Sequence, residues 1–115
     1  AILGRFLAEA RFWPRNFHYE SAVERADVIY ISGIVQQTVQ ALIQVLFAIN
    51  GKYFPGEKKL AQTLAGLPVQ PEGLVPRVQA LLYPGNEVSV ERLRAQRREL
   101  VRLLDEVEAA VTRNA

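Results

Sequence analysis

The feature that most constrains this chain is a stretch without charge. Between Asp27 and Lys52 there is no aspartate, glutamate, lysine or arginine, while Ile31, Ile34, Val35, Val39, Leu42, Val45, Leu46 and Ile49 recur at helical spacing. Ser21-Ala22-Val23-Glu24 just ahead has the form of a capping box, and Asn50-Gly51 behind is a natural stop, since both residues tolerate a left-handed backbone. The pattern predicts one helix from Ala22 to Asn50, roughly 43 Å long at 1.5 Å per residue. That length would cross a bilayer. Gln36, Gln37, Gln40 and Gln44 argue against a membrane, because amides facing lipid would lack partners. The expectation is a central helix packed on most sides, with no membrane.

The flanks read as further helices. Ile2 to Trp13 ends at Pro14, which has no N–H and clashes with the preceding turn, and Arg15 to Glu20 reads as a loop. A short helix fits Glu57 to Ala65, another Pro71 to Tyr83, with Pro76 shortening it, and a last one Val88 to Thr112. The last carries a stripe of Leu93, Leu100, Leu104, Val107 and Val111 that Arg97 interrupts. Nothing alternates with period two. The fold class is therefore all-α, a bundle of about five helices around one long central helix.

Composition narrows the chemistry. At 115 residues, 50% of them hydrophobic, the chain is one domain with a real core. A net charge of +2, from 14 basic against 12 acidic residues, points to neither nucleic acid nor membrane. On the last helix, interspersed acids imply a salt-bridged face and make nucleic acid an unlikely partner. With no cysteine there is no disulfide or thiolate metal site, which fits a cytoplasmic protein, and a single histidine excludes sites needing two. No phosphate-binding glycine loop, metal-ligand spacing or serine elbow is present, so no residue is assigned a catalytic or metal-binding role. His18 lies among aromatics without a serine or cysteine partner and reads as a packed loop residue.

Two constellations remain. Asn50, Tyr53, Lys58 and Lys59 sit at a helix end, a turn and a helix start. Lys58 or Lys59 could hold a phosphate there, since lysine brings a compact charge with three donors. A capped turn with solvated lysines explains the same residues. Arg25 and Asp27 stand near the start of the long helix, too close to share a face. One would pair with a neighbouring helix while the other faced a cleft, although acids near a helix N-terminus also simply favour the dipole.

The order Arg25-x-Asp27, then Leu46-Phe47-Ala48-Ile49-Asn50-x-x-Tyr53-x-Pro55-x-x-Lys58, then a short helix and Leu67-Pro68, resembles the helical C-terminal domain, of unknown function, of polymerase-β-type nucleotidyltransferase-like proteins. Aminoglycoside (kanamycin-type) nucleotidyltransferases are the well-understood relatives. The detailed likeness covers somewhat over a third of the chain. It implies a domain, residues 1–115, that is inactive alone and binds substrate or nucleotide. Lys58 and Lys59 would meet the phosphates, Asn50 and Tyr53 would line the cleft, and Arg25 and Asp27 would order it or touch the acceptor.

The partner so implied is an N-terminal nucleotidyltransferase domain, in cis or as a separate catalytic chain. Mg and a nucleoside triphosphate would be cofactors of the whole protein, with none in this chain. The absence of methionine and the helical opening at Ala1 fit a piece of a longer chain. A helical interaction module, antitoxin-like or dimerising as a homo-oligomer, is the alternative of a different class. A second helical family, HEPN ribonucleases, carries an arginine and histidine at a spacing that Arg11 and His18 resemble, but here they flank Pro14.

Overall fold

The structure is a computed structural model that describes residues 2–54 and 59–114. Among these residues there are six helices and no strand: α1 (Ile2–Arg15), α2 (Phe17–Glu24), α3 (Val28–Ile49), α4 (Leu60–Ala65), α5 (Leu74–Leu82) and α6 (Val90–Arg113). The all-α reading holds. α3 is the spine, and α1, α2, α5 and α6 all pack against it.

The N-terminal third differs from the sequence reading. Pro14 lies inside α1, which runs one residue further, because a proline in the last turn removes only one ladder bond. The supposed loop after it is mostly α2. Asn16 caps that helix by accepting the His18 N–H at 2.9 Å, and Tyr19, Ala22 and Val23 recur at helical spacing to bury one face. Ser21 is therefore mid-helix and no capping box forms.

The long helix does not begin at Ala22. Ala26 adopts φ 53°, a left-handed conformation that breaks the ladder, and Asp27 caps the new helix by accepting from the Tyr30 N–H at 3.3 Å. At 22 residues α3 is about 33 Å long. Its N-terminal glutamines, Gln36 and Gln37, are exposed, while 61% of its most apolar window is buried in the bundle. Leu46, Phe47, Leu100, Leu103, Leu104 and Val107 are almost fully buried where α3 and α6 build the core.

Pro76 is the third residue of α5, where its missing N–H costs no helical bond, so the helix is short because it starts late, at Leu74 after Gly73 (φ 68°). Ser89 opens α6 by accepting the Arg92 N–H at 3.1 Å.

Two polar seams tie α6 to its neighbours. Arg11 and Arg15 of α1 meet Glu108 and Asp105, at distances down to 2.6 Å. Arg77 of α5 grips Glu106 with two N–H donors, at 2.6 and 2.9 Å, and also reaches Glu99. That hydrogen bonding holds the Glu106 carboxyl below the usual carboxylate range, against the opposing effect of burial. The sign follows: the stabilisation is fully present above the ordinary carboxylate pKa and is lost as pH falls through the lowered one. Glu106 is more than a third exposed, so after solvent screening the pair is worth about 1 kcal/mol or less. The expected result is a stability gap between the native chain and Glu106→Gln at pH 6 that closes as the pH is lowered towards 3, read from urea midpoints. A gap that stays constant would refute the pair's contribution.

Candidate functional site

The corner between α3 and α4 is built around the side chain of Asn50. Its Oδ1 accepts the Val69 N–H at 2.8 Å, and its Nδ2 donates to the carbonyls of Val69 at 2.8 Å and Leu46 at 2.7 Å. One amide thus pairs with both backbone groups of a residue 19 positions away, as a neighbouring strand would. Gln70 adds a second brace, donating to the carbonyls of Leu64, Ala65 and Leu67. Gly51 turns the chain at φ 64°, and Phe54 meets buried Phe47 edge-on with ring centres 5.6 Å apart.

What the corner presents outward is different in kind. Tyr53 is 98% exposed, and Lys52 and Lys59 are exposed. Among the described residues, neither lysine has an ion-pair partner and the Tyr53 hydroxyl makes no hydrogen bond. Lys58 and Pro55 of the sequence motif lie outside the described residues. Lys59 precedes α4 at φ 56° and makes no cap with its side chain; at six residues α4 has little dipole to offer an anion. Any anion held here would be held by side chains.

The other sequence candidates lie elsewhere. Arg25 and Asp27 pair with each other, Nη2 to Oδ2 at 3.6 Å, instead of serving separate neighbours. The break at Ala26 takes them out of one continuous helix, so the rule that adjacent helical positions diverge does not apply to them. They stand at the N-terminal end of α3, a helix length of about 33 Å from Asn50. The five candidates among the described residues therefore form two groups.

Arg97, which interrupts the apolar stripe of α6, turns out to close the α1–α2 break. Its Nε donates to the Pro14 carbonyl at 3.0 Å, Nη2 reaches the Asn16 carbonyl at 3.5 Å, and the guanidinium lies over the Tyr19 ring, 5.1 Å from its centre. Burial pushes the Tyr19 phenol up to about 12, with Arg97 opposing. A lone charge in an apolar stripe was the available signal for such a clamp.

His18 is exposed in the first turn of α2, stacked on Phe17 with ring centres 4.1 Å apart. Arg11 is paired with Glu108 on a different helix. Among the described residues no group of three or more His, Asp or Glu side chains could hold a metal ion. A groove of about 430 Å³ runs between α3, the end of α5 and the start of α6, floored by Ile31, Val35 and Leu93. Val28, Tyr83 and Val88, which line it, are exposed apolar residues.

No protein-family model matches the chain, and no curated protein or solved structure matches it.

Proposed function

We propose that this chain is a helical ligand-contacting domain of a nucleotidyltransferase-like protein, inactive alone, that offers the α3–α4 corner to the phosphates of a nucleoside triphosphate. The observation that carries the reading is the contrast at that corner. Asn50 and Gln70 fix the backbone, while the cations and phenol it carries are directed at nothing within the described chain. A fixed backbone presenting unpaired donors is what preorganised binding of an anion requires. Lys59 and, by its place in the sequence motif, Lys58 would meet the phosphates, with Tyr53 beside them. Arg25 and Asp27, at the far end of α3, would serve the acceptor or the partner domain and not the same phosphates.

A triphosphate fits this set of side chains; Mg does not, since the described residues offer it no carboxylate cluster. Its ligands would come from the catalytic domain, where the metal would neutralise the phosphates.

The test is calorimetric titration of ATP with Mg into the chain and into the longer protein in which the catalytic domain accompanies it. We expect Lys58→Ala plus Lys59→Ala to weaken binding at least tenfold, about 1.4 kcal/mol. No binding by the longer protein would sink the reading.

The exposed Val28, Tyr83 and Val88 lining the α3–α5–α6 groove favour a second reading, a helical interaction module that covers this side with a partner. No ATP binding, together with a molecular mass in light scattering above that of one chain, would favour it.

A further inference from the structure

The charges of α6 look evenly mixed in sequence, but the fold sorts them. Glu99, Asp105, Glu106 and Glu108 are all drawn into pairs with Arg77, Arg102, Arg15 and Arg11. Glu91 is left in the first turn of the helix, where the dipole favours it. Arg94 and Arg98 have no ion-pair partner among the described residues. They are four positions apart on a helix, so their side chains rise from one face about 6 Å from each other.

Between them and α2 lies a depression of about 190 Å³, lined by Glu20, Val23, Arg94, Arg97 and Arg98. Arg97 and Arg98 also border a second hollow of about 480 Å³, with Pro14, Arg15 and Val101. Arg97 is held in place by the Pro14 carbonyl and the Tyr19 ring, so one guanidinium is fixed and two more stand beside it. The sole carboxylate in the smaller hollow, Glu20, is 65% exposed and approaches Arg97 no closer than 4.0 Å.

We infer that this hollow between α2 and α6 binds a phosphoryl group of a small soluble ligand through Arg94, Arg97 and Arg98, with Glu20 as an internal competitor. Three guanidiniums exceed what one loosely held carboxylate neutralises, and their planar forks match the oxygens of a doubly charged phosphoryl group. Val23 lines this hollow and Val101 and Pro14 the adjoining one, so apolar side chains flank the arginines. This site is independent of the α3–α4 corner. It lies beside α2, which leads into the N-terminal end of α3, whereas Lys59 follows the C-terminal end.

The test is calorimetric titration of pyrophosphate and of ADP, without metal and at low ionic strength, into the 115-residue chain. We expect saturable binding of pyrophosphate that falls at least tenfold in the Arg94→Ala, Arg98→Ala double variant. Both side chains are exposed and bonded to nothing described, so the melting temperature of that variant should match the native chain. Glu20→Gln should tighten binding severalfold by removing the competitor. Repeating the titrations in the Lys58→Ala, Lys59→Ala background removes the corner's share, and the binding that remains should still fall at least tenfold on adding Arg94→Ala and Arg98→Ala. ADP binding tighter than pyrophosphate, through the same arginines, would assign a nucleotide; equal binding would assign a free polyphosphate. Absent saturable binding, or binding that survives the double variant, would overturn the inference.

Discussion

Phe47→Ala should cost this domain about 3–5 kcal/mol, the range seen when a buried aromatic is truncated and its cavity stays open. Phe47 is 1% exposed in the last turns of α3, within the core cluster, and supports the ring of Phe54. Domains of this size are stable by about 5–15 kcal/mol in total. The variant should therefore lose a large share of its resistance to urea, with the transition midpoint as the measurement. A loss below about 1 kcal/mol would mean that the end of α3 is not packed as described. The substitution also bears on function, because the outward-facing Tyr53 precedes the residue that Phe47 holds.

Asn50→Asp is the second large effect, and it separates the amide's two halves. Oxygen remains available to the Val69 N–H, but the donor to Leu46 and Val69 is replaced by a second oxygen facing two carbonyls. Lost hydrogen bonds of about 1 kcal/mol each, with unsatisfied half-buried carbonyls, bring the expected loss at neutral pH to about 2–3 kcal/mol. Asn50→Ala removes the bonds without adding the repulsion, so its loss should be smaller, read as a urea midpoint above that of Asn50→Asp. If the two variants are equally stable, the orientation assigned to the amide is wrong. Under the proposed function both should also weaken ATP binding, since the corner loses its brace.

Much of the architecture was legible because the apolar spacing of α3 and α6 is strong and uncharged or clearly striped. The α1–α2–α3 connection was not. Ser21 and Glu24 satisfied a local capping rule, yet Asn16 and Asp27 caps won, because burying Tyr19, Ala22 and Val23 requires α2 to sit as its own helix against α3 and α6. An alanine at φ 53° carries no sequence signal at all. At the candidate site, Asn50 was legible as a helix stop but not as a partner for Val69, since pairing across 19 residues is invisible to local spacing. The pairing of Arg25 with Asp27 was hidden for the same reason as the break between them.

The clamp made by Arg97 has a consequence for how the chain is born. The carbonyls it holds, Pro14 and Asn16, are synthesised more than 80 residues before it. Arg11 and Arg15 likewise wait for Glu108 and Asp105, and the core leucines of α6 arrive in the same stretch. On a ribosome, helices α1 to α3 therefore emerge with their closing wall still missing. Their shared apolar faces stay open until α6 has left the exit tunnel, so the fold closes only once that helix has emerged.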